Sequence, residues 1–199
     1  MGLLRNRRLT EDQLRRIPPG QHLVSDFPVL HEGSVPYESV PDGWDFTVTG
    51  GVERPGRWTY RELRALPSRT VTTDIHCVTT WSKLDTRWEG VPVWPLLQSL
   101  GVHPDVTHVI AIAEAGYTAN LPLERLDAED VLLAYRFDDE ELEPVHGGPL
   151  RLLVPGLYFW KSAKWLRGLE LVTRDRPGFW ERLGYSNSAD PWKEERYAF

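Results

Sequence analysis

Sixteen prolines and sixteen glycines are spread along this chain instead of gathering in a linker. Punctuation of that kind restricts a chain to many short elements joined by turns. The expected fold class is α+β and mostly β, with mixed sheets and short helices. A length of 199 residues at 41% hydrophobic content supports one sizeable core and not two, so residues 1–199 read as a single domain.

Composition removes several function classes. Charged residues make up 26% and the formal net charge is −6, which gives no basic footprint for nucleic acid. No apolar window is long enough to span a bilayer, so membrane insertion is not expected. One cysteine cannot form an internal disulfide and fits a reducing compartment. The segment MGLLRNRRLTEDQLRRIPPGQ has paired arginines but no apolar run behind them. Gly2 lacks the hydroxyl residue that myristoylation wants at position 6, where Asn6 stands. The expected location is cytoplasmic.

Local patterns place the elements. Trp44, Phe46 and Val48 alternate with Asp45, Thr47 and Thr49, which predicts a strand with one wet face, and Glu53-Arg54-Pro55-Gly56 should reverse it. Thr59 and Glu62 form a capping box opening a short helix that Pro67 stops. From Val71 to Cys77 the chain alternates again, with Val71, Thr73, Ile75 and Cys77 on one face. VPVWPLLQSLGV predicts a helix from near Pro95 to a left-handed cap at Gly101. Further strands are expected over Val106–Ala113, Val131–Phe137, Pro149–Pro155 and Leu169–Thr173, with DDEELEP as an acidic loop. The tail, residues 174–199, is expected to wrap the surface and dock through Phe179, Trp180 and Trp192.

The cysteine lies in TTDIHCVTTWSKLDTRWEG, where a strand is expected to give way to a polar, aromatic-rich loop. Four readings apply to Cys77. A lone cysteine is most often a small buried hydrophobe. A thiol nucleophile needs a base, and His76, as its strand neighbour, points to the other face. Zinc lacks the accompanying CxxC or HxxxH spacing. The fourth is a single thiolate ligand to a metal whose other donors come from a cofactor. Composition does not choose among them.

The run DIHCVTTWSKLDTRWEGVPVWPLL resembles the signature of the sulfite oxidase-type molybdopterin-binding domain, the fold shared by sulfite oxidases, plant-type nitrate reductases and the bacterial MsrP catalytic subunit. HGGPLRLLVPGLYFWKSAKWLRGLEL resembles a second segment of the same family. The likeness covers about residues 27–173. It implies a molybdenum-molybdopterin cofactor, with Cys77 binding the metal. By position it further implies cofactor contacts from Arg151, from the loop Ser162, Ala163 and Lys164, from His146 where relatives carry Asn, and from Phe27 and Val29 in an entry loop. Glu114 and Tyr117, at the end of a strand, could reach the open face of the metal as catalytic groups, or belong to an ordinary turn.

The residues support this on their own terms. A pterin phosphate calls for Arg, Lys and hydroxyl donors, and Arg151, Lys161, Ser162, Lys164 and Arg167 supply them in one short region of an acidic protein. Lys161 and Arg167 equally fit a solvated surface, whereas Arg151, in an expected buried strand, demands a partner. Trp81 and Trp88 read as core aromatics ahead of channel walls. The expectation is a minimal catalytic core, without the dimerisation or haem domain of sulfite oxidases, their arginine-rich anion pattern or the export signal of MsrP-like proteins. The resemblance thus implies an oxidoreductase of a small-molecule substrate, working by oxygen-atom transfer or related two-electron chemistry through a Mo(VI)/Mo(IV) cycle with an external electron carrier. The alternatives are a non-catalytic cofactor-binding module and a thiol enzyme using Cys77.

Overall fold

The computed structural model describes residues 9–198; the features read at Gly2 and Asn6 lie outside the described residues. The first sheet is built from β2 (Asp45–Gly50), β3 (Gly56–Thr59), β6 (His108–Ala113), β7 (Thr118–Pro122) and β11 (Leu166–Val172), in the order β3-β2-β11-β6-β7. Phe46 and Val48 are fully buried, as their alternation demands, and the turn before Gly56 returns β3 antiparallel to β2. Helix α2 (Tyr60–Arg64) opens on the expected capping box of Thr59 and Glu62. Helix α3 (Val93–Leu100) starts two residues earlier than expected and closes on Gly101 at φ 74°. Pro95 is its third residue, inside the first turn, where a missing N–H costs nothing.

The second sheet holds β1 (His22–Leu23), β4 (Arg69–His76), β5 (Trp81–Pro92), β8 (Leu132–Phe137), β9 (Glu140–Glu141) and β10 (Arg151–Leu153), with β5 at its centre, paired to β1, β4 and β8. Here the loop expected after Cys77 is corrected. Only a tight turn, closed by Thr80 N–H to the Cys77 carbonyl at 3.0 Å, separates β4 from twelve residues of strand. The polar tract is a strand with one wet face: Thr86 and Trp88 are buried while Asp85 and Arg87 are exposed. DDEELEP likewise contains β9, hairpinned onto β8.

The strict alternation expected up to Cys77 also fails. A bulge shifts the β4–β5 register between Thr73 and Ile75. It is pinned by Asp74, whose carboxylate accepts from Arg16 of α1 (Glu11–Arg16) at 2.6 and 2.9 Å and from the Asp85 N–H at 2.9 Å. Beyond it Ile75, His76 and Cys77 are all buried. A bulge of this kind re-aims the side chains that follow it.

Two apolar clusters result. The larger one fills the space between the sheets and α3. The smaller gathers Ile75, Cys77, Trp81, Trp88, Leu153 and Phe159, with Phe27 packed against it. After β11 the tail returns across the molecule, and Trp180 packs on the larger cluster. Trp192 docks by one edge only: it is 51% exposed, its ring set edge-on to His76 at 6.3 Å, and the buried residues of that stretch are Ala189 and Pro191. Among the described residues no helix is long and apolar enough to cross a membrane.

Candidate cofactor site

A cavity of about 480 Å³ opens where the smaller cluster meets the loops. Phe27, Cys77, Glu114, Tyr117, Arg151, Ser162, Ala163 and Lys164 all line it, so most of the expected site residues converge on one space. Val29 does not; it is 47% exposed while its neighbours Pro28 and Leu30 face the cavity. His146 is also off the wall. Its ring stacks on Phe27 at 4.0 Å, Nε2 meets the Phe27 carbonyl at 3.2 Å and Nδ1 meets Glu143 at 3.1 Å, so both ring nitrogens are engaged within the protein.

Cys77 follows β4 directly and is 9% exposed. Burial pushes its thiol pKa up, against a hydrogen bond from Thr79 Oγ1 at 3.2 Å. That disfavours a free thiolate nucleophile, and His76 is turned away to Ser82 Oγ at 2.8 Å. Among the described residues no group of three or more His, Cys, Asp or Glu side chains is placed to hold a metal ion. A metal at Cys77 would therefore draw its remaining donors from a cofactor.

Arg151 is 1% exposed at the start of β10. It donates to the His146 and Ser162 carbonyls at 2.6 and 2.8 Å, and its Nε has no partner. Phe159 lies under the guanidinium at 4.1 Å. Lys164 donates to the Val145 carbonyl at 2.6 Å and lies 5.7 Å from the Trp165 ring centre. Burial, then the neighbouring Arg151 charge, presses the Lys164 ammonium down to about 7. Among the described residues neither cation has a carboxylate within ion-pair distance, unlike Lys161 and Arg167 nearby. A cation shielded from water without a counterion is costly, and buried Arg151 and half-buried Lys164 both offer their charge to an anion in the cavity. The backbone is shaped for it: Gly147 adopts φ 109° where a Cβ would come within 2.9 Å of Lys164, and Trp165 is held at φ 50° with its indole donating to the Pro144 carbonyl at 2.7 Å.

The other two basic residues are committed elsewhere. Lys161 is fully buried, paired with Glu181 at 2.6 Å and bonded to Asn120. Arg167 bridges Asp45 and Glu114 at 2.5 and 2.7 Å, which fixes Glu114 in its 3-10 turn on the cavity wall. The Tyr117 hydroxyl donates to the Trp160 carbonyl at 2.6 Å, and burial raises its pKa well above the usual range; it therefore turns a lone pair, not a proton, to other partners. Trp88 is fully buried and off the wall, while Trp81 is both buried and cavity-lining. The sequence reading assigned no site role to Val78, Thr79, Trp160 and Tyr185, or to the tail anchors Phe179 and Trp180, which also line the cavity. The aromatic density of GFWERLGY was the available signal.

A family model described as oxidoreductase molybdopterin binding domain matches residues 32–180. The uncharacterized oxidoreductase YuiH of Bacillus subtilis is 46% identical, over 94% of this chain and 95% of that protein. Sulfite oxidase of Arabidopsis thaliana is 28% identical over 84% of this chain and 53% of its own length. The NADH nitrate reductase of Petunia hybrida is 26% identical over 76% and 20%. This chain thus spans about half or less of those two proteins. The crystal structure of the sulfane dehydrogenase SoxCD from Paracoccus pantotrophus shares the fold, with a TM-score of 0.62 at 24% identity over 77% of this chain and 42% of that one.

Proposed function

The chain belongs to the oxidoreductase molybdopterin-binding domain family, and on that premise we propose that Cys77 is the protein's ligand to the molybdenum, while Arg151 and Lys164 receive the phosphate end of the pterin. The observation that carries this is a pair of cations without a carboxylate partner, Arg151 buried and Lys164 half-buried, opening on the same cavity as the only cysteine. The donors fit the group: a soft thiolate for the metal, two cations and the Ser162–Lys164 loop for a phosphate. When bound, the cofactor supplies a metal able to change valence by two electrons and to exchange an oxygen atom with a substrate.

The chain's own residues bind, orient and exclude water. Thr79 holds the Cys77 sulfur, Phe27 and Phe159 enclose it, and Trp81 and Trp160 keep the space apolar. Glu114 and Tyr117 are proposed to face the substrate. With Lys161 and Arg167 already paired and Arg151 and Lys164 taken by a phosphate, an anionic substrate meets no spare lysine or arginine on the described wall. A small neutral substrate is the better fit, with electrons exchanged with an external carrier.

The test is metal analysis and X-ray absorption on protein from a molybdenum-replete host. Parent protein should contain molybdenum and pterin in equimolar amounts. Cys77→Ser should lose one sulfur from the metal shell and the thiolate-to-metal absorption, with unchanged far-UV circular dichroism. An unaltered sulfur shell in Cys77→Ser would overturn the assignment. A metal signal that no reductant or oxidant changes would instead mark a binding module without turnover.

A further inference from the structure

The family match ends at residue 180, yet the chain beyond it returns to the cavity. Phe179 N–H bonds the Thr118 carbonyl at 2.8 Å, and Glu181 takes both Lys161 and the Trp160 indole N–H, at 2.6 and 2.8 Å. The loop then closes on itself through a bridge between Tyr185 and Tyr197 and a bond from Ala198 N–H to the Gly184 carbonyl at 3.0 Å. It is fastened to the protein body where Tyr158 N–H meets the Ala189 carbonyl at 2.8 Å.

This closure delivers Arg196 to the turn that carries Cys77. Its Nη1 donates to the Val78 carbonyl at 2.6 Å and its Nη2 to the Gly20 carbonyl at 3.4 Å, and the guanidinium lies 5.0 Å from the Tyr158 ring centre. The side chain is only 15% exposed. The preceding carbonyl, that of Cys77, accepts from Gln21 Nε2 at 3.1 Å and from Thr80 N–H. Two consecutive peptide planes at the cysteine are thus held from outside the hairpin. Thr80, at φ 76°, completes the constrained turn. The Cys77 carbonyl plane borders the Cys77 Cα and helps set the direction of its Cα–Cβ bond, while the Val78 plane that Arg196 holds is the next one along and fixes the turn behind it; a metal ligand's direction tunes the metal it holds.

We infer that Arg196 is a positioning residue for the Cys77 thiolate, carried to its turn by the closure of the loop over residues 181–198. This rests on Cys77 being the metal ligand. The experiment uses the full-length molybdenum-loaded protein and compares Arg196→Ala, Arg196→Lys and, as a control on the same loop, Leu183→Ala, whose side chain is 63% exposed. The readouts are the Mo(V) electron paramagnetic resonance spectrum, the thiolate-to-metal absorption and molybdenum content. Arg196→Ala should displace both signals at retained molybdenum content, with Arg196→Lys moving back towards the parent and Leu183→Ala matching it. Parent spectra in Arg196→Ala, or equal displacement in Leu183→Ala, overturn the inference. If Arg196→Ala does not fold, Arg196→Gln takes its place under the same outcomes. Should Cys77→Ser itself show parent spectra, the ligand assignment fails; should it alter them while the Arg196 variants do not, only the present inference falls.

Discussion

Lys164 carries its charge at the edge of what the site allows. Its ammonium is pressed to about 7 by burial and then by Arg151, whereas the unfolded chain would hold the proton to about 10.4. Between those values the unfolded state binds a proton that the native state does not, so cofactor-free stability from this group rises with pH from about 7 towards 10. Arg151, also pushed down by burial, adds in the same direction. A residue kept at such cost is a functional candidate. Lys164→Met should remove part of the rise in melting temperature across that window, leave the cofactor-free protein no less stable at pH 7, and lower its pterin retention. A Lys164→Met protein that melts well below the parent at pH 7, with retention intact, would show the lysine to be structural.

Among the elements, the tail is anchored in part by one buried ion pair. Lys161 and Glu181 have side-chain exposures of 0% and 3%, and removing one partner leaves the other uncompensated. Lys161→Met should therefore cost about 3–5 kcal/mol, and Lys161→Met with Glu181→Leu should recover much of it; denaturant titration of the single and double variants checks both, and a harmless single variant would sink the argument. The same pair shows where sequence reading stopped. Lys161 and Lys164 lie three apart in one basic stretch, and nothing local says that the first turns to Glu181, twenty residues on, while the second turns to the cavity. What local physics decides was legible: the alternation of β2, the capping box of α2, the Gly101 cap. Motif resemblance found Cys77, Arg151, Ser162 and Lys164, which tertiary structure then brings to one cavity. The strand β5 was hidden because Lys83, Asp85 and Arg87 dominate its composition, although its buried set, Thr86 and Trp88, keeps the period of two. The bulge at Asp74 depends on Arg16, 58 residues away, and has no local signature. Arg196 is further still, reaching Val78 across 118 residues of sequence.

At the scale of the whole molecule, the two apolar clusters have different dependences on the cofactor. The larger is packed within the protein by the first sheet, α3 and the inner faces of β8 and β10. The smaller borders a cavity whose walls come from separate segments: residues 27–33, the Cys77 turn, residues 114–117, residues 159–165 and the tail from 179. These segments share few backbone bonds with one another, and at one end Arg151 and Lys164 repel. A phosphate received between the two cations, as proposed, would remove that repulsion, and a ligand bound only by the native state stabilises it by mass action. Stability is then unevenly distributed, with the cavity walls as the low-stability unit. Hydrogen exchange by mass spectrometry on the cofactor-free and loaded forms should show this directly. Backbone amides of β2, β6 and β11 should exchange equally slowly in both. Those of the Cys77 turn, residues 159–165 and the tail should gain protection on loading, by more than any gain in the first sheet. Equal protection gains in both sheets would mean that the cofactor stabilises the fold as one cooperative block, and that the cavity is not a separable unit of it.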